Sequence, residues 1–273
     1  MKPYALGLPL FLYSYLGFLL LLPLAALVTS SVQSTGAEWW RWLTAPVALA
    51  AYRLTLTTAL LAATVNTVLG LVTAWVLVRY EFPGRRLLDA LVDLPFAMPS
   101  VVAAITLATL YGQGGLVGQF WDEGTFLGRL LPLNFTASVQ AVVLAQLFVT
   151  LPFVVRTVQP VLWELEPEVE EAAYTLGASP WRCFRQILLP ALTPALFTGF
   201  TLALARGIGE FGVVVLISGN IPYQTLTATV YIYQQLEAFN YPAATAVALV
   251  LLVASLALFG LTRWVQGRVL PRM

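Results

Sequence analysis

Residues 54–78 read LTLTTALLAATVNTVLGLVTAWVLV, a run of 25 residues without a single charge. A membrane-spanning helix needs about 20 mostly apolar residues, because every backbone polar group must bond within the helix. This run is therefore long enough to cross a membrane. Similar runs elsewhere predict an all-α polytopic membrane protein with about six spans, at residues 8–28, 54–78, 94–111, 137–155, 193–217 and 243–262.

The composition agrees with a membrane protein and excludes several chemistries. Apolar residues make up 59% of the 273 residues and charged residues 10%, whereas a typical soluble domain carries roughly 25% charged residues. The formal net charge of +1 gives no basic excess for nucleic acid. With one cysteine, Cys183, and no histidine, we expect no disulfide, metal or cofactor. Lys2 is the sole lysine, so no P-loop can form and a partner must hydrolyse any ATP.

The positions of the basic residues predict the orientation of the spans, since loops rich in Lys and Arg stay in the cytoplasm. One side of the predicted spans carries Lys2, Arg79, Arg85, Arg86, Arg156, Arg182, Arg185, Arg263, Arg268 and Arg272. The other side carries Arg41, Arg53 and Arg129. We therefore expect both termini in the cytoplasm and the first span to be retained as a helix.

The longest predicted cytoplasmic loop, residues 159–190, has the pattern of two short helices. Pro167 can begin a helix whose first turn is acidic, and Gly177 can end it. After Ser179, apolar residues recur at helical spacing and predict a second short helix: Trp181, Phe184, Ile187 and Leu188. The loop is therefore predicted to project from the membrane as a helix-turn-helix.

Seven residues of this loop follow the spacing EAA-x3-G-x9-I-x-L-P. They are Glu171, Ala172, Ala173, Gly177, Ile187, Leu189 and Pro190. This pattern resembles the EAA loop of the permeases of ABC importers. The resemblance implies that the loop docks on a cytoplasmic ATPase dimer, which would bind ATP and Mg²⁺ and drive transport by closing.

Further stretches resemble the sulfate/thiosulfate permeases among these importers, in particular their T-type subunits. They are residues 79–103, PFVVRTVQPVL at 152–162, RGIGEFG at 206–212 and SGNIP at 218–222. The resemblance implies a type I permease fold in a bacterial inner membrane, with residues 1–273 as a single permease domain surrounded by lipid. It also implies a second permease subunit, identical or a sister, and a periplasmic sulfate-binding protein. Molybdate permeases share the GEFG and GNIP character, so molybdate and tungstate are alternative substrates.

Two charges lie inside the fifth predicted span. Arg206 and Glu210 are four residues apart and would share a helix face. A charge at the bilayer centre costs about 2.5 to 3.5 kcal/mol on insertion scales, so these groups must be paired or solvated. Arginine suits a tetrahedral dianion, whereas a carboxylate in the same lumen repels it. The pair is therefore a candidate for the translocation path or its gate, or for an ion pair that only holds the fold.

Two other classes of protein remain open at this point. A secondary anion transporter driven by protons through Glu210 would need no ATPase. A structural membrane scaffold would not depend on Arg206 or Glu210 at all. The glycines at 207, 209 and 212 spell GxGxxG, but this motif binds dinucleotides only between a strand and a helix, so its presence here is a coincidence.

Overall fold

The computed structural model describes residues 7–32, 36–121, 125–130 and 133–269, which contain helices and no β-strand. The helices are α1 (Gly7–Leu16, continued by the π-helical turn Gly17–Leu21 and by Leu22–Val32), α2 (Gly36–Leu43), α3 (Pro46–Arg79), α4 (Arg85–Val92), α5 (Leu94–Ala97), α6 (Ser100–Tyr111), α7 (Phe126–Leu130), α8 (Val139–Glu164), α9 (Pro167–Thr175), α10 (Pro180–Ile208), α11 (Val214–Ile217), α12 (Ala228–Glu237) and α13 (Tyr241–Val269).

Five of these helices, α1, α3, α8, α10 and α13, are long and apolar enough to cross a membrane. The third predicted span is not one continuous helix, and in this respect the prediction for residues 94–111 is wrong. Met98 is extended, with ψ at 133°, and separates α5 from the shorter helix α6. The cause is Pro99, which disfavours the helical conformation in the residue before it and has no N–H to donate.

The fifth predicted span, residues 193–217, also has different bounds. Helix α10 begins at Pro180, so the second helix of the cytoplasmic loop is not separate but is the start of this span. The π-helical turn Phe184–Leu188 precedes Pro190, whose missing N–H would interrupt a regular α-helix there. The helix ends at Ile208, and α11 is only four residues long.

The core of the bundle consists of α3, α8 and α10. Helix α3 buries a stripe of alanines: Ala48, Ala51, Ala59, Ala62, Ala63 and Ala74. Of these, Ala59, Ala63 and Ala74 pack in one core cluster with residues of α8 and α10. Small side chains let helix backbones approach closely within a membrane. Asn66 on α3 donates hydrogen bonds to the Leu147 carbonyl and the Thr150 hydroxyl of α8, at 2.9 and 2.8 Å. These contacts join α3, α8 and α10 into one bundle. The loop with the EAA pattern and the pair Arg206 and Glu210 both lie next to these helices.

The predicted location of both termini concerns residues 1–6 and 270–273, which lie outside the described residues. Helix α1 lies at the edge of the bundle, where it packs against α13. No residue of α1 with a described side chain is buried.

Candidate functional site

The loop predicted to be cytoplasmic forms one short helix and a tight turn. Helix α9 begins at Pro167 with Glu168 and Glu170 in its first turn, where the helix dipole favours negative charge. The chain reverses at Gly177, whose φ of +83° is a conformation that side-chain-bearing residues rarely adopt. The Ser179 hydroxyl then accepts a hydrogen bond from the Arg182 N–H and begins α10. The loop is therefore a compact projection, with residues 159–164 belonging to α8.

The seven residues of the EAA pattern have two different environments. Glu171, Ala172 and Gly177 are exposed at the tip of the projection. Ala173 is buried against Cys183 and Leu188, with Ile187 packed beside them. Leu189 is half-buried and Pro190 exposed on α10. The pattern thus combines an exposed face with buried residues that support it.

Leu176 extends the exposed face formed by Glu171, Ala172 and Gly177, although the sequence analysis did not predict a role for it. Its side chain is 88% exposed beside Gly177. A single leucine in a polar loop gives no periodic signal, so only the folded turn reveals it. An exposed leucine next to Ala172 and Gly177 is suited to contact with another protein.

Arg79 fixes the projection to the body of the protein. Its guanidinium lies 2.9 Å from the Glu170 carboxylate of α9 and donates a hydrogen bond to the Leu165 carbonyl at 3.1 Å. The same group lies 5.8 Å from the centre of the Trp75 ring. In the sequence Arg79 only indicated orientation, because its partner is far away in the chain. The contact makes the end of α3 and the start of α9 move as one unit.

The two interruptions of the transmembrane helices meet. A Cβ atom on Gly212 would lie 2.5 Å from the Cβ atom of Ser100, so the segment after α10 touches the first residue of α6. We call residues 98–100, together with residues 206–213 (the last turn of α10 and the segment that follows it), the break region. Non-helical backbone at membrane depth is tolerated where it is buried in protein or lines an aqueous cavity. Broken helices of this kind form binding sites in transporters.

Arg206 and Glu210 form an ion pair within the break region. The Arg206 Nη2 and Glu210 Oε2 atoms are 2.7 Å apart, and the two side chains are 40% and 1% exposed. The expectation that both residues share a helix face is wrong, because α10 ends at Ile208 and Glu210 lies beyond it. The ion pair nevertheless forms across the helix end. It presents an arginine outward and keeps its carboxylate inside the protein.

The buried Glu210 side chain also shapes the chain after the helix end. Its Oε1 accepts a hydrogen bond from the Val213 N–H at 2.9 Å. The Thr229 hydroxyl of α12 donates to the Glu210 carbonyl at 2.8 Å. Gln146 of α8 donates to the Gly207 carbonyl at 3.1 Å, which satisfies an acceptor exposed by the end of the helix. Polar groups therefore fix the break region in one defined conformation.

A second cluster of charges lies around Arg156 of α8. Its guanidinium donates to both carboxylate oxygens of Asp93, at 2.8 and 2.6 Å, and to the Asp89 carboxylate at 2.7 Å. Gln159 donates to the same Asp89 oxygen at 3.0 Å. The Gln159 amide and then the Arg156 guanidinium lower the pKa of the Asp89 carboxyl below its ordinary value, outweighing its partial burial. No pattern in the sequence predicted this cluster, because Asp89 and Asp93 are more than 60 residues away from Arg156.

Residues 66–271 match a family model described as "Binding-protein-dependent transport system inner membrane component". The probable sulfate transport system permease protein cysT of Nephroselmis olivacea is 52% identical over 249 residues, which cover 91% of this chain and 85% of that protein. The sulfate transport system permease protein CysT of Escherichia coli (strain K12) is 46% identical over 250 residues, covering 92% and 88%.

Solved structures with the same fold come from ABC transporters. A chain in the crystal structure of a bacterial alginate ABC transporter, in complex with an alginate pentasaccharide-bound periplasmic protein, superimposes with a TM-score of 0.77 at 19% identity. The superposition covers 97% of this chain and 94% of that one. A chain of the MetNI methionine ABC transporter, in an inward-facing conformation, gives a TM-score of 0.62 at 19% identity, covering 88% and 100%. Identities this low show the fold alone.

Proposed function

This chain belongs to the family of binding-protein-dependent transport system inner membrane components, within it to the sulfate transport system permeases, and we propose that it carries sulfate or thiosulfate into the cytoplasm. Family membership confirms the ABC-importer permease fold, the inner-membrane location and the role as a transport subunit rather than an enzyme. An ATPase and a binding protein are the partners that this family requires.

We call residues 165–179, between α8 and α10, the docking loop. Its exposed face is the observation on which the proposal depends. Glu171, Ala172, Leu176 and Gly177 are exposed at the tip of the loop, and the P-loop that ATP hydrolysis needs is absent from the sequence. The loop therefore docks on a cytoplasmic ATPase dimer that holds ATP and Mg²⁺. A second permease subunit, identical or a sister, completes the pore, and a periplasmic sulfate-binding protein delivers the anion.

Arg206 is our candidate for the anion path. Its side chain is partly exposed in the break region, and its planar guanidinium can form paired hydrogen bonds to an oxyanion. Glu210 is buried and paired with it, so the carboxylate does not repel an approaching dianion as a free charge would. The pair can bind the anion directly or act as a gate that opens when the anion competes for Arg206.

Reconstitution into liposomes tests this function. Vesicles holding the permease pair, the ATPase and the binding protein should take up labelled sulfate only with hydrolysable ATP, with a non-hydrolysable analogue as the control. Unlabelled thiosulfate and molybdate, added in turn as competitors, distinguish the substrates. Uptake by the permease alone that follows a proton gradient and stops with an uncoupler would instead make the chain a secondary transporter.

A further inference from the structure

The charged cluster around Arg156 connects two parts of the chain that the rest of the bundle leaves loosely joined. Helix α4 exposes three of its leucines, Leu87, Leu88 and Leu91, and buries only Val92 among its described side chains. Val92 belongs to the buried core that also contains Val154 and Val158 of α8. Phe96 packs edge to face on Phe153 of α8, with ring centres 5.1 Å apart. Because most of α4 is exposed, the polar contacts of Arg156 contribute strongly to the position of α4 on α8.

The geometry around Arg156 is specific to arginine. The Nε and Nη2 atoms donate to the two oxygens of Asp93, while Nη1 bonds the Asp89 carboxylate and Nη2 the Asp89 carbonyl. Lysine carries the same charge but lacks the planar fork that makes such paired contacts. We call Arg156, Gln159, Asp89 and Asp93 the arginine bridge.

The arginine bridge lies between the docking loop and the break region. In one direction, α8 continues from Arg156 for eight residues, about 12 Å, to Glu164 and then to Leu165, whose carbonyl Arg79 holds. In the other direction, Asp93 is followed directly by α5, by the interruption at Pro99 and by α6. Because the link at Arg156 is rigid, the docking loop, α8 and the start of α6 are expected to move together.

We propose that Arg156 is a positioning residue that transmits movement of the docking loop to the break region by holding Asp89 and Asp93 to α8. This inference rests on the proposed function, since it assumes that a partner ATPase moves the loop. Without the paired contacts, α8 still moves with the loop, but α4, α5 and α6 no longer follow. ATP is then hydrolysed without transport.

The first test compares Arg156→Lys with Arg53→Lys in the reconstituted complex. Arg53 is exposed on α3, and its side chain has no polar partner among the residues that the structure describes. Arg156→Lys should transport about tenfold fewer sulfate ions per ATP hydrolysed, while ATP hydrolysis per complex stays within about twofold, whereas Arg53→Lys should match the parent. Asp93→Asn should lower the ratio similarly, and the double variant should be no worse than either single variant. Equal losses of transport and hydrolysis would mean a merely structural role and overturn the inference.

The second test does not depend on the transported ion. Spin labels on Glu168→Cys and Val253→Cys report movement of α9 against α13, and labels on Val101→Cys and Val253→Cys report movement of α6 against α13, both in a background with Cys183→Ser. ATP should change both distances in the parent and only the first in Arg156→Lys. A change in both distances in the variant overturns the inference. Normal distance changes in a parent complex that moves no sulfate would instead contradict the proposed substrate.

Discussion

At the scale of single residues, the two members of the Arg206 and Glu210 pair have unequal environments. Removing Arg206 leaves a carboxylate that is 1% exposed without its counter-charge. Loss of one partner of a buried pair costs roughly 3 to 5 kcal/mol. Because Arg206 is itself 40% exposed, water partly replaces it and the lower end of that range applies. Removing Glu210 leaves an arginine that solvent can reach, which is less unfavourable.

This asymmetry predicts that Arg206→Ala destabilises the protein more than Glu210→Gln does. The glutamine oxygen can still accept the Val213 N–H, so the chain turn after α10 is preserved. The double variant should recover part of the stability lost in Arg206→Ala, because the buried charge is gone. Melting temperatures of the purified protein in detergent measure all three, and a Glu210→Gln variant less stable than Arg206→Ala would contradict the proposed burial.

Asp89 gives a dependence on pH. Because the pKa of its carboxyl is lowered in the folded protein, first by Gln159 and then by Arg156, it stabilises the fold above its unfolded pKa. That stabilisation is lost as pH falls through the folded pKa, where the carboxyl becomes neutral. The parent should therefore melt at a higher temperature than Asp89→Asn at pH 7, and the difference should shrink below about pH 4. A difference that is constant with pH would show that the charge of Asp89 does not matter.

At the scale of elements, the sequence predicted the two ends of the short helix α9, but the prediction of six continuous spans missed the interruptions within two of them. Pro167 and Gly177 mark the ends of α9 because proline and glycine act on the local backbone. The breaks at Met98 and after Ile208 lie in apolar runs. Hydropathy shows that such a run favours lipid, but it does not show whether its helix is continuous. Pro99 was a local clue to the first break. The partner of Arg79, 91 residues away in the sequence, left no local pattern.

At Gly177 in the docking loop, two substitutions can distinguish the effect of side-chain size from the effect of backbone strain. A Cβ atom at Gly177 would meet nothing within 4 Å, so a side chain there points into open space. Gly177→Trp should insert normally but lose most ATP-driven transport, because the indole blocks docking. Gly177→Asn is the matched control, since asparagine tolerates positive φ and is small, and it should keep most of the transport. Equal losses in both variants would make backbone conformation, rather than docking, the cause.

At the scale of the whole molecule, the features argued to be functional lie between the start of α3 and the start of α11, while α1 lies at the edge against α13. The family match begins at residue 66, well after α1. Helix α1 is apolar on all sides and has no buried residue among its described side chains. We therefore expect α1 to cross the membrane once and to set the orientation of α3, rather than to shape the path.

Replacing residues 8–30 with an unrelated charge-free span of equal length should keep at least about half of the ATP-driven sulfate uptake, because the substitute meets the same requirement of length and apolarity. Deleting the same residues should abolish insertion, since the positive loops would then be forced to the wrong side. Single cysteines labelled by a reagent added outside the membrane report the orientation of the protein, and this is measured separately from uptake. Correct orientation with no uptake in the replaced protein would mean that α1 contacts the path or a partner through its own side chains.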